Sequence, residues 1–309
     1  MMANSGLDMA PAFYVVGAAR SGTTALWSWL RCHPDVFLPA VKEPGFFAYS
    51  GRSAVPRRGP YDSDYVAEIT TTAQAYCRLY EPMEGRLSGD VSPIYLIDAE
   101  AAGRIAKARP DARIVILLRD PVSRAFSQFL QHRRDGIEPH ASFETALVDE
   151  EYRLRQGWSW GHGYRVNGCY AAQIARYLDV FDQQQILFLS FGALQSAPET
   201  CWHRLCLHLG LPPCPMPQNR RVNVSSTLAS LPAWPWISRH IHHPGPLQRR
   251  LKHCLPRSLA AFVRRRVEAA TSPMPVLLDS TRLALAEHYQ QERRAVGEMS
   301  GLSLRRWSR

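Results

Sequence analysis

The sequence predicts an α/β protein with a P-loop-like, three-layer fold: a central parallel sheet flanked by helices. Three observations carry that expectation. FYVV (13–16), RIVILLRD (113–120) and QILFLSF (185–191) hold runs that are apolar at successive positions, as strands buried on both faces are. Stretches with helical spacing separate them, which is the alternation of a parallel sheet. A glycine-containing turn, GAARSGTT (17–24), leads from the first strand into a helix-like segment.

Each element follows in order. Residues 23–32 carry Ala25, Leu26, Trp29 and Leu30 at helical spacing, and His33-Pro34 stops that helix. VFLP (36–39) is short and extended, and KEPGFF follows it. The Gly-, Pro- and Arg-rich stretch 50–61 reads as an exposed loop, and 72–79 as a helix. GDVSPIYL (89–96) is a strand end and turn, with a helix over 97–108. RIVILLRD is the strongest strand, because five aliphatics stand in a row between charges. Pro121 suits the first turn of the next helix, which runs to about Arg134. Helices are expected near 142–156 and 168–181, then from Pro198 to Leu209, and a last amphipathic helix over about 282–300. Nothing resembles an interdomain linker, so a single domain spans 1–309, with its core at about 12–225.

Composition narrows the classes. At 309 residues, 46% hydrophobic and 21% charged, the chain is an ordinary globular one. Its net charge of +10 points to an anionic partner. The seven cysteines are scattered and never spaced C-x-x-C, which argues against a zinc ribbon or a disulfide framework and for reduced thiols in a cytoplasmic protein. No secretory signal stands at the N-terminus, and no apolar run approaches the roughly 20 residues of a membrane helix. The segment 212–266 is proline- and tryptophan-rich, and no Asp or Glu occurs between Glu199 and Glu268. Its basic stretch, 232–266, suits an acceptor entrance or a peripheral contact with an anionic membrane. No groove-reading motif accompanies its charge, so nucleic acid is not the expected partner.

The turn after the first strand is an anion site by construction. Free N–H groups and the helix dipole, roughly half a positive charge, face outward there. Ser21, Thr23 and Thr24 add hydroxyl donors, Gly22 admits close backbone approach, and Arg20 adds a fixed charge. A nucleoside triphosphate loop has lysine directly after its second glycine, and here that residue is Thr23. At the end of RIVILLRD, Asp120 stands where a metal-holding Asp is expected. Arg119 beside it suits a phosphate better, and Ser127, two turns into the helix, can join it.

These segments resemble a sulfotransferase that uses 3′-phosphoadenosine 5′-phosphosulfate (PAPS). VVGAARSGTTALWSWLRCHPDVFLPAVKEPGFF resembles the family's opening, with Arg20, Ser21, Gly22, Thr23 and Thr24 matching the loop that binds the 5′-phosphosulfate. RIVILLRDPVSRAFSQFLQHRRDG resembles its 3′-phosphate element and implies Arg119 and Ser127 as contacts. NGCYAAQIARYLDVFDQQQILFLSFGAL resembles the helix and strand that close over the nucleotide and implies Tyr170. The family's late basic contact has no clean match; NRRVNVSS puts Arg220 or Arg221 in a comparable place.

The KEPxFF segment resembles the heparan-type and bacterial branch, in which the Glu is the catalytic base. That implies Glu43 as base, Arg20 as the group that stabilises the departing phosphate, and Lys42 as an assistant or a tuner of the base. His33, the base type of another branch, lies at a helix end where capping accounts for it. Asp90 is a second polar group expected in the cleft. Heparan 3-O-type enzymes carry a basic residue just before their Ser/Thr-Pro turn; here it is Val91, which weakens the case for an anionic glycan. The resemblance implies sulfuryl transfer to a hydroxyl, less readily an amine, of a small-molecule, glycan or lipid acceptor, without a metal. A P-loop nucleotide kinase and a non-catalytic nucleotide-binding or membrane-docking protein remain the alternatives. A preference for 3′,5′-bisphosphoadenosine (PAP) over ATP–Mg²⁺ separates the first, and loss of transfer on changing Glu43 separates the second.

Overall fold

The computed structural model describes residues 10–217, 230–232, 271–304 and 307. Arg220, Arg221 and nearly all of the basic 232–266 stretch lie outside the described residues.

Five strands form one sheet: β1 (Phe13–Gly17), β2 (Val36–Phe37), β3 (Leu87–Val91), β4 (Arg113–Leu118) and β5 (Ile186–Ser190). Their order is β2-β3-β1-β4-β5, and every neighbouring pair is parallel. Side chains alternate across a strand, so a continuous apolar run feeds two cores at once. Tyr14, Val16, Ile114, Ile116 and Leu118 join one cluster; Phe13, Val15, Val115 and Leu117 join the other. The five aliphatics of β4 are all fully buried, each stabilising the fold by about 1.5–3 kcal/mol relative to exposure.

The first cluster is covered by α2 (Phe46–Tyr49), α4 (Ala73–Arg78), α5 (Ile94–Ile97), α6 (Ala101–Ala108) and α9 (Tyr170–Leu178). The second is covered by α1 (Thr23–Leu30) and α11 (Pro198–Leu209), with α10 (Phe191–Ser196) contributing Leu194. A third cluster joins α7 (Pro121–Arg134), α8 (Phe143–Arg155) and α12 (Asp279–His288). The short helix α3 (Ser63–Glu68) lies beyond the expected 50–61 loop. Asp62 caps it, accepting from the Asp64 and Tyr65 amides.

Two expectations need correction. The helix expected over 97–108 begins only at Ala101, because Ile94–Ile97 is a separate turn of helix that ends at Asp98. The last helix is two, α12 and α13 (Gln290–Ser300), meeting at Tyr289. Burying the Tyr289 ring, with its hydroxyl donating to the Arg165 carbonyl at 2.6 Å, outweighs a continuous helix there. Strands β6 (Ser230–Pro232) and β7 (Thr271–Pro273) pair antiparallel outside the main sheet. Among the described residues the six cysteines are free thiols, and no helix is long and apolar enough to cross a membrane.

The strand order fixes where a ligand can bind. From β1 the chain crosses to one side of the sheet, toward β2; from β4 it crosses to the other, toward β5. The loops after β1 and β4 therefore diverge and leave a crevice at the carboxyl edge.

Candidate active site

That crevice opens into a cavity of about 410 Å³, within the range of small-molecule sites. It is lined by Arg20, Gly22, Thr23 and Thr24 from the first loop, Arg119 from the second, and Lys42 and Glu43 from the KEP turn. These segments are far apart in sequence; the parallel sheet brings them to one edge.

The first loop is built for close approach. Gly22 has φ 101°, and a Cβ there would stand 2.8 Å from a Leu194 methyl, so neither backbone nor packing admits a side chain. Ser21 is fully buried, and its hydroxyl makes no bond of normal geometry among the described residues. A buried donor of this kind suits an anion seated on the helix N-terminus.

Arg20 reaches across the crevice. Its Nε and Nη2 donate to Ser127 Oγ at 3.3 and 3.2 Å, and Arg119 Nη1 donates to the Arg20 carbonyl at 2.9 Å. The two anion-binding elements expected from the sequence thus meet directly. Burial, then the charges of Arg134 and Arg119, pull the Arg20 guanidinium down to about 10. Burial also lowers Arg119, which packs its guanidinium 4.7 Å over the Phe191 ring. Cations crowded in a desolvated crevice are relieved by a bound anion.

Tyr170 stands behind this pair. It is fully buried and donates to the Arg119 carbonyl at 3.1 Å, so its contact runs through Arg119. Asp120 is turned to another use. Its Oδ2 accepts from the Ser123 amide at 3.0 Å and the Ser123 hydroxyl at 2.6 Å, capping α7.

Glu43 and Arg20 are both left-handed, at φ 65° and 67°. Neither side chain offsets that conformation locally, and each position costs roughly 1–2 kcal/mol. The two residues implied as base and leaving-group stabiliser are therefore held in strained backbone by their surroundings. Lys42 Nζ pairs with Glu43 Oε1.

His33, the rival base type, and Asp90, expected in the cleft, both lie elsewhere. His33 is buried off the cavity: its Nδ1 accepts from the Asp35 amide at 3.2 Å, which leaves Nε2–H to donate to the Pro212 carbonyl at 3.3 Å. Asp90 is not in the cleft. It is wholly buried beneath the KEP turn, ringed by Ser92, Tyr76 and Tyr95.

Sequence reasoning missed much of the cavity wall. Gln128, Gln131, His132 and Asp135 line it from α7. Their i, i+3, i+4, i+7 spacing was a legible polar stripe. His132 is fully engaged: the Gln128 amide donates to Nε2 at 2.7 Å, and Nδ1–H donates to Tyr164 Oη at 2.9 Å. The Tyr164 hydroxyl in turn donates to Glu138 at 2.7 Å, itself paired with Arg153. Burial, followed by His162 and Arg20, holds His132 neutral with a pKa well below the ordinary range. The cavity is also lined by Tyr49, Tyr61, Tyr65 and Trp160 with Asp62, Asp64 and Glu68. They come from α2, the loop after it, α3 and a single turn of helix at 160–162, and no spacing signals it.

A family model described as the sulfotransferase family matches residues 11–215. The chain belongs to this family. The match covers β1 to β5 and both anion loops. Similar curated proteins include human heparan sulfate glucosamine 3-O-sulfotransferase 3B1, 29% identical over 211 residues, 67% of this chain and 48% of that protein. Human carbohydrate sulfotransferase 15 is 25% identical over 250 residues, 66% of this chain and 44% of that protein. The chain spans about half the length of the curated relatives it matches. The crystal structure of a sulfotransferase from Alicyclobacillus acidocaldarius superposes with a TM-score of 0.74 at 27% identity, covering 97% of this chain and 99% of that one.

Proposed function

We propose that this chain transfers the sulfuryl group of PAPS to a hydroxyl of a small acceptor that carries no negative charge. The observation that supports the reading is the convergence of Arg20, Arg119 and Glu43 on one cavity, with Ser127 bonded to Arg20 beside it. Residues 20–24 would hold the phosphosulfate end of the donor, and Arg119 with Ser127 its 3′-phosphate. The bound donor supplies an activated sulfuryl group. Glu43 would take the proton from the acceptor oxygen, a contribution of 10²–10⁴-fold for a positioned base. Arg20 would neutralise charge on the departing phosphate from a desolvated position, where such a cation is worth most. Lys42 pairs with Glu43 and would hold its carboxylate in place until the acceptor arrives.

The acceptor class follows from charge and shape. The cavity lining offers aromatic rings and carboxylates, and Val91 stands where heparan 3-O-type enzymes are basic. Aromatic faces suit a flat or apolar hydroxyl compound, and the carboxylates repel a polyanion. The kinase alternative loses its expected metal ligand, because Asp120 caps α7.

The test is thermal stabilisation by PAP against ATP–Mg²⁺, followed by transfer from radiolabelled PAPS. The acceptors are neutral phenols, neutral sugars and heparan sulfate. A larger shift with PAP and label on the neutral acceptors are expected. A larger shift with ATP–Mg²⁺ would return the kinase, and label on heparan sulfate alone would reverse the acceptor assignment.

A further inference from the structure

Asp90 is a buried titratable group that the proposed mechanism leaves unused. It lies in β3 under the turn that presents Glu43, at 0% exposure. Its Oδ1 accepts from Ser92 Oγ at 2.6 Å, and its Oδ2 accepts from the hydroxyls of Tyr76 and Tyr95, both at 2.7 Å. Each hydroxyl has a single proton, so donation to Asp90 turns its lone pairs outward. Two of them meet the KEP turn. Gly45 N donates to Ser92 Oγ at 3.1 Å, and Phe47 N donates to Tyr95 Oη at 3.4 Å. The third partner, Tyr76, stacks on Phe46 with ring centres 4.5 Å apart.

We infer that Asp90 is a positioning residue: acting through Ser92 and Tyr95, its carboxylate holds the 43–47 backbone and so aims Glu43 at the cavity. The inference rests on the proposed role of Glu43 as base. It explains how a glutamate keeps φ 65° two residues before a glycine at φ 64°. A turn with two left-handed residues needs external anchors: the Thr70 amide and Arg104 hold the Pro44 and Phe47 carbonyls at 2.8 and 3.1 Å, and the two anchors that hold its amides are hydroxyls whose direction one carboxylate dictates.

The arrangement depends on ionisation. Three donors on two oxygens suit the carboxylate; a protonated Asp90 must itself donate to one of the three hydroxyls, whose own proton must then turn to another acceptor, and the direction that hydroxyl presents to the turn changes with it. Burial raises Asp90 to about 6 against the lowering effect of Ser92, Tyr76 and Tyr95. The titratable groups around it are Tyr14, Tyr76, Tyr80, Tyr95 and Tyr177, all held neutral by burial, and Glu43, whose charge raises Asp90 further. Turnover therefore falls as pH drops through about 6.

The test is kinetic. Ser92→Ala should lower kcat about tenfold or more, since small misplacement of a catalytic group is costly, with the donor KM little changed. Ser92→Thr, which keeps the hydroxyl, should restore it. In a Glu43→Gln background Ser92→Ala should cost nothing further, because there is no base left to aim. Asp90→Asn should lower kcat and lose the acid limb near pH 6; should it fail to fold, Ser92→Ala and Tyr95→Phe carry the test. Equal losses from Ser92→Ala with and without Glu43 would reduce the network to a fold element and overturn the inference. If Glu43→Gln abolishes transfer while Ser92→Ala and Asp90→Asn turn over normally, only this inference fails. If Glu43→Gln retains full turnover, the base assignment fails and this one with it.

Discussion

The two sides of the cavity edge are held in opposite ways. On the arginine side, charges are crowded together: Arg20 and Arg119 are both lowered by burial, and Arg119 steadies the loop through the Arg20 carbonyl. On the KEP side, one buried carboxylate is surrounded by hydroxyls that pass its direction on to the turn. The first side is unfavourable until an anion arrives, so it is suited to binding. The second is saturated internally, so it is suited to aiming. Binding and chemistry should therefore separate on mutation.

Glu43→Gln should sharpen that contrast most. We expect kcat to fall 10²–10⁴-fold, with PAP affinity by calorimetry within about twofold. A comparable loss of PAP affinity would break the comparison.

The next effect is on stability. Asp90 is raised from 3.8 to about 6, so its ionisation opposes folding: its contribution is full below the unfolded value and is lost as pH rises through about 6. That loss amounts to roughly 3 kcal/mol, at about 1.4 per pH unit. Urea unfolding at pH 8 and pH 5 should give the wild type extra stability at pH 5 that Asp90→Asn does not share. Parallel pH profiles for the two proteins would count against a strained carboxylate.

Arg119→Ala should weaken PAP about 10–100-fold, as removal of a charged hydrogen-bond donor does, while kcat at saturating donor changes far less. A pure kcat effect would move Arg119 into the chemistry. Gly22→Ala should cost about 1–2 kcal/mol in unfolding free energy from its φ alone, and more if Leu194 cannot yield. Ser127→Ala should be smallest, about 1 kcal/mol in PAP affinity.

Much of the donor side was legible in the sequence because it is local. A strand, a glycine turn and a helix start lie within about fifteen residues, and both GAARSGTT and RIVILLRD announce themselves by residue type. The second loop falls beside the first because apolar strands of this length pack in parallel. The Asp90 network was not legible in that way. GDVSP marks a strand end but carries no sign that its carboxylate turns inward to meet Tyr76 and Tyr95. The tyrosines of the cavity lining were equally silent: Tyr49, Tyr61 and Tyr65 come from α2, the loop after it and α3.

By itself the sequence determined the sheet, the two anion turns and the chemistry each can hold, because periodicity and backbone conformation are properties of short segments. Only the tertiary structure decided that Arg20 reaches Ser127, that His33 is spent on the Asp35 amide and the Pro212 carbonyl and Asp120 on Ser123, and that Asp90 stands under Glu43. Those outcomes depend on which side chains are desolvated together, and desolvation is settled by residues from distant parts of the chain.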